Sequence, residues 1–192
     1  MEYQISFLSR AVVNNLVINS KNYRNSLSLC IPIQYIESLV SLNWSDILCL
    51  IQYGYCKKSD AIEYARATLT EESEDLLYNL AVWDKEDVDN PLYMETIMQL
   101  SEKIPYAVKQ DTKRKVMYAV LSFLYDKRII IEDPEQVLDI IFDDFNFLID
   151  FRDTMDRIHC IRKTKTRREQ IFNLWHKFLE SQKNTFKHGT FA

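Results

Sequence analysis

Glycine is nearly missing from this chain, with two residues in 192, Gly54 and Gly189, where about 7% is usual. Glycine is the residue that turns backbone through positive φ or lets it approach a phosphate closely. Two so far apart cannot build a GxGxxG or GxxxxGK(S/T) loop, so nucleotide-binding loops of those types are excluded. Proline is scarce as well, at four residues. Together the two shortages disfavour a β-sandwich or barrel, which needs many tight turns.

Chemistry-bearing patterns are also lacking. Cys30, Cys49, Cys56 and Cys160 show no CxxC spacing, and Cys49 lies in the apolar run ILCLI, where a thiol behaves as a small hydrophobe. His159, His176 and His188 make no HExxH and no i, i+4 pair with another His or Cys, so a compact zinc site is not expected. There is no GxSxG elbow, and neighbours such as His159 and Cys160 rarely reach the geometry that activates a thiolate. No catalytic, cofactor-binding or metal-ligating residue is assigned, and an enzyme is not expected. The N-terminal MEYQISFLSRAVVNNLVI lacks a basic leader and is broken by Ser9, Arg10, Asn14 and Asn15, which fits neither a secretory signal nor a membrane span. A reducing cytoplasm is the expected compartment.

What is present is helical. Apolar residues make up 47% of the chain, enough for one well-buried domain. LSLCI, at 27–31, reads as a short strand or as an extended approach to Pro32. Beyond it Ser45 is expected to start a helix that Gly54 stops, Ser59 and Thr70 to cap the next two, and Asn90–Pro91 to open another. Val116, Ala119, Val120, Phe123 and Leu124 share a stripe of a later helix. In EDPEQVLDIIFDDFNFLIDF, at 132–151, Asp133 can cap and Pro134 occupies the first position, while Val137, Leu138, Ile141, Phe145 and Leu148 recur at helical spacing. RREQIFNLWHKFLESQK carries a last apolar face of Ile171, Leu174, Trp175, Phe178 and Leu179. The expectation is a mainly α single domain over 1–192, a bundle or array of about seven to nine short helices with room for a small strand near the N-terminus. Its parts are an N-terminal segment 1–32, a helical core 33–155, a basic connector 156–168, a C-terminal helix 169–183 and a tail 184–192.

Net charge is only −4, but it is segregated. Eight acids and one base lie between Glu71 and Asp89, and six bases and no acid between Arg157 and Arg168. Two solvated faces that attract each other would account for this, and so would surfaces for partners. Asp139, Asp143, Asn146 and Asp150 fall on one stripe if the helix begun at Pro134 continues that far. Asp143 and Asp144 are sequence neighbours, about 100° apart on a helix, so the doublet is not itself a paired acid–base site. Eleven tyrosines supply core edges or interface anchors. The run IRKTKTRR invites an RNA-binding reading, against which stand a pI near 5.5 and the absence of an aromatic within the run to stack on a base.

WSDILCLIQYGYCKKSDAIEYA, LLYNLAVWDKEDVDNPLYMETIMQL, KVMYAVLSFLYDKR and DPEQVLDIIFDDFNFLIDFRDTM, spanning roughly 44–155, resemble a family of small bacterial helical proteins counted among the domains of unknown function, number 2247 of that series. Where relatives carry an acidic "YADFDYP"-like stretch, this chain reads Phe142-Asp143-Asp144-Phe145-Asn146-Phe147, without the proline. Similar proteins often accompany secreted polymorphic toxins, including contact-dependent growth inhibition systems, as candidate immunity proteins. The resemblance therefore implies an inhibitor that occludes one cognate toxin. Many such toxins are nucleases, whose clefts must be positive to hold phosphate. The expected contact residues are Asp139, Asp143, Asp144 and Asp150, with Glu71, Glu72, Glu74 and Asp75 as a second patch. The partner is then a toxin domain, with neither nucleic acid nor membrane. The alternative is an RNA-associated helical adaptor using 157–168.

Overall fold

A computed structural model describes residues 25–187. In chain order the helices are α1 (Ile33–Leu39), α2 (Trp44–Tyr53), α3 (Asp60–Thr68), α4 (Asp75–Val82), α5 (Pro91–Glu102), the four-residue α6 (Tyr106–Lys109), α7 (Thr112–Asp126), a 3-10 turn (Arg128–Ile130), α8 (Pro134–Asp144), α9 (Ile149–His159) and α10 (Arg167–Lys187). The fold is mainly α, as expected, and no described residue lies in an extended strand. Within LSLCI the chain is a turn and irregular backbone. Residues 1–24, which hold the stretch read as neither a secretory signal nor a membrane span, and residues 188–192 of the tail lie outside the described residues. No described helix is long and apolar enough to cross a membrane.

The centre is α7. Residues 115–124 are all buried, including Lys115 and Ser122. A single apolar stripe was expected. The helix is instead enclosed, because α2 packs on one side, α10 on another, and α1 and the 3-10 turn close the remainder. A helix with no wet face is what a core position demands. Before it, α2 packs on α5, α3 on α4 and α4 on α5; after it, α10 covers α8 and α9. The last helix reaches further than 169–183, and Phe186 is buried against Tyr118 with ring centroids 5.4 Å apart.

Local signals explain most boundaries. Gly54 sits at φ 73 after α2, and the Tyr55 N–H returns to the Leu50 carbonyl at 2.8 Å, the hydrogen bond of a Schellman stop. Asn90 accepts from Leu92 N–H at 3.0 Å and Asp133 from Gln136 N–H at 3.1 Å, each ahead of a proline. The start of α2 differs from expectation. Asn43, not Ser45, is the cap, and its side chain accepts from Ser45 N–H at 2.8 Å and Asp46 N–H at 3.2 Å. The Ser45 hydroxyl is instead 3.0 Å from that of Ser101, tying α2 to α5. Ser59 makes no side-chain cap bond, and Thr70 pairs with Ser73 in a turn ahead of α4, its N–H donating to Ser73 Oγ at 2.8 Å.

The Asp46 carboxylate answers the Asn43 N–H at 3.0 Å, which completes a capping box. It also receives Lys115 Nζ at 2.6 Å and Thr112 Oγ1 at 2.9 Å, and is fully buried. Burial pushes its pKa up, while the Lys115 charge and the three hydrogen bonds pull it down. Lys115 further donates to the Ser41 carbonyl at 3.0 Å. Removing one partner of such a pair strands the other in a dry site, whereas replacing both with apolar groups is often neutral. Asp46→Ala should therefore cost about 3–5 kcal/mol in urea unfolding, and Asp46→Leu with Lys115→Met should recover most of that loss.

Candidate functional site

Carboxylates bring most of the surface chemistry, and the eight expected contact residues meet different fates. α8 does not run on to Asp150; it ends at Asp144. Asn146 and Phe147 both take φ 56, and the N–H groups of Asn146 and Phe147 return to the carbonyls of Asp143 and Phe142, each at 2.9 Å. This is again a Schellman stop, with Asn146 in the glycine role. The side chains of Phe142 and Phe147 meet edge-on at 5.1 Å, the apolar contact that accompanies the motif. The stripe through Asp139, Asp143, Asn146 and Asp150 is thus interrupted. Asp150 begins a new helix and pairs with Arg114 of α7.

The adjacent doublet splits. Asp143 is exposed and its carboxylate makes no ion pair among the described residues. Asp144 is half-buried and engaged: Ser26 N–H donates to it at 3.0 Å, Ser26 Oγ at 2.5 Å and the Tyr55 hydroxyl at 3.2 Å. Burial, and then the Asp144 charge, hold the Tyr55 phenol well above its usual pKa. Phe145, Tyr53 and Tyr55 form a three-ring cluster: Phe145 lies 5.3 and 5.7 Å from the two tyrosine rings with planes within 9° of parallel, and the tyrosines are 6.4 Å from each other. Buried Asn25 closes the same junction, donating to the Leu29 and Gly54 carbonyls at 3.0 and 2.9 Å and accepting from Leu29 N–H at 2.7 Å. Asp144 therefore ties the 25–31 segment to α8. Asp139 lies 2.8 Å from His159 Nε2.

The second patch stays on the surface. Glu71, Glu72 and Asp75 are exposed, and Glu74 pairs with Lys103 at the end of α5. Along the acidic stretch Asp89 pairs with Lys58, and Glu71, Glu72, Asp75, Asp84, Glu86 and Asp87 have no ion-pair partner among the described residues. Apolar groups accompany them. Tyr78 and Val82 share a face of α4 with Asp75 and are 41% and 73% exposed, and Leu92 and Met98 are exposed on the neighbouring α5. Residue spacing had not marked Val82, Leu92, Met98, Phe147 or Ile149 as surface groups, since an apolar residue does not reveal whether a neighbouring element covers it. Asn146, the helix-stopping residue, was the available clue at the corner.

The basic segment does not neutralise the acidic one. Arg167 pairs with Glu135 and donates to the Ile161 carbonyl at 3.0 Å. Arg168 donates to the Arg128 and Ile131 carbonyls, both at 3.0 Å, and lies 4.9 Å over the Phe172 ring. Arg157, Arg162, Lys163 and Lys165 remain exposed, and none pairs with an acid of 71–89. A cavity of about 140 Å³ opens between Leu42, Val108, Lys115 and Phe186, where the ammonium group is already held by Asp46 and Ser41. Among the described residues no three or more His, Cys, Asp or Glu are grouped to hold a metal ion.

The described residues form a mainly helical body that displays unpaired acids and exposed apolar side chains side by side. Residues 33–183 match the family described as an uncharacterized protein conserved in bacteria (DUF2247), and the chain belongs to that family. The match runs through the basic connector and most of α10, beyond the 44–155 span of the sequence resemblance. No curated protein and no solved structure matches the chain.

The two members of the doublet should respond differently. Asp144→Ala leaves the Tyr55 hydroxyl and the Ser26 N–H without their acceptor and should cost about 1–3 kcal/mol in urea unfolding. Asp143→Ala should stay within about 0.5 kcal/mol of wild type.

Proposed function

We propose that this protein is an immunity protein, binding a cognate secreted bacterial toxin and occluding its active site. What supports the reading is the acidic field left uncompensated on α4 and the loops beside it. Six exposed carboxylates, Glu71, Glu72, Asp75, Asp84, Glu86 and Asp87, have no ion-pair partner among the described residues, and Tyr78 and Val82 stand next to them. An acidic surface steers a basic partner and raises the association rate, and exposed aromatic and aliphatic groups slow its release. A nuclease toxin suits that field, because its substrate cleft must carry positive charge. Occlusion needs no group that performs a reaction, so the inhibitor is read as a binding protein and not an enzyme.

A second reading, an RNA-associated helical adaptor, draws on exposed Arg157, Arg162, Lys163 and Lys165. It is the weaker of the two, because Arg167 and Arg168 of the same run are engaged within the fold. Filter binding to single-stranded RNA across salt separates the readings. An adaptor contacting about four phosphates would show a log–log slope near −3, and an immunity protein would show no retention.

Co-expression with the polypeptide encoded immediately upstream should restore growth that this polypeptide alone abolishes. Glu71→Lys, Glu72→Lys and Asp75→Lys combined should slow association about 10-fold or more at low salt and flatten its salt dependence. Association unchanged by the triple variant would remove this patch from the contact.

A further inference from the structure

We propose that the corner between α8 and α9 is the apolar anchor by which this chain docks onto a second protein, one whose contact face is positively charged and holds an apolar pocket. The inference rests on the binding-protein reading above and adds the residues that grip. Phe147 is 52% exposed and Ile149 is 75% exposed, side by side where the chain leaves α8 and enters α9. Neither large side chain is required to stop α8. Asn146 supplies the left-handed residue, and the Asp143 and Phe142 carbonyls are satisfied by backbone N–H groups that any residue at 147 except proline would provide.

Phe147 nevertheless holds φ 56 itself, a region that a bulky side chain disfavours and that asparagine or glycine enters readily. Strain kept at a half-exposed ring points to a use outside the fold. The rival explanation is the edge-on contact with Phe142 at 5.1 Å, which would make the ring a structural clasp. Stability measurements separate the two.

Charge selects the occupant. Asp143 is exposed before the corner, and Asp153 and Asp156 share the outer face of α9 with Ile149; Arg152 and Arg157 are the exposed bases of that helix, so acids outnumber bases by one. Asp150 is neutralised by Arg114. A net acidic rim repels nucleic acid and anionic headgroups. A second copy meeting this corner about a two-fold axis would bring together two rims of the same net sign. A basic protein surface is what remains, with rim charge governing encounter and the two apolar side chains governing residence time.

The test uses the full chain, with Phe147→Asn and Ile149→Ser as variants and the polypeptide encoded immediately upstream as probe. Phe147→Asn should leave Tm unchanged or raise it by roughly 2–4 °C, while weakening Kd about 30-fold or more, mainly through faster dissociation. Ile149→Ser should weaken binding in the same sense without loss of Tm. A Tm fall of more than about 4 °C in Phe147→Asn would assign the ring to the fold and overturn the proposal. Wild-type affinity in both variants would overturn it alone, leaving the immunity reading standing. A probe that fails to bind the wild-type chain would defeat that reading and this proposal with it.

Discussion

The packing of the Phe145 ring against both Tyr53 and Tyr55 is the contact on which the display of the acidic corner depends. Tyr53 and Tyr55 flank Gly54 at the end of α2, and Phe145 precedes Asn146 at the end of α8. Each helix is stopped by a left-handed residue, and the near-parallel stack joins the two stops. Such aromatic pairs contribute about 0.5–1.5 kcal/mol beyond the area they bury. The stack also places a buried tyrosine hydroxyl beside α8, and a buried hydroxyl needs a partner. Asp144 is that partner, which is why one aspartate of the doublet faces inward while its neighbour faces water.

Signals contained within a few residues were legible in the sequence. Gly54, Asn90–Pro91 and Asp133–Pro134 mark helix ends because their effects act through the local backbone. Ser45 and Thr70 misled because a hydroxyl bonds equally well to a distant helix or within a separate turn, as Ser45 does with Ser101 and Thr70 with Ser73. The end of α8 was hidden because Phe145 and Leu148 continue an apolar spacing through a backbone that has already turned. Spacing also cannot count neighbours, so α7 read as one stripe although it is enclosed.

The site was legible as charge but not as pairing. Composition reveals how many acids a segment carries, and only the fold reveals which of them are answered. Ser26 meets Asp144 from 118 positions away, and Lys115 meets Asp46 from 69 away. The acidic and basic segments invited the idea that they neutralise one another. In the fold the arginines at the start of α10 turn to Glu135 and to backbone carbonyls instead, and the acids of 71–89 are left facing water.

Helix α10 packs on α1, α7, α8 and α9, and of all these elements it is the latest to emerge from the ribosome. Until it arrives, the apolar flanks of α7 and the inner sides of α8 and α9 stand open to water. The unfinished chain is then exposed to aggregation or to chaperones. The inner sides of four helices thus stay uncovered until residues 167–187 are in place, and closure of the core is set by the speed at which that one helix docks.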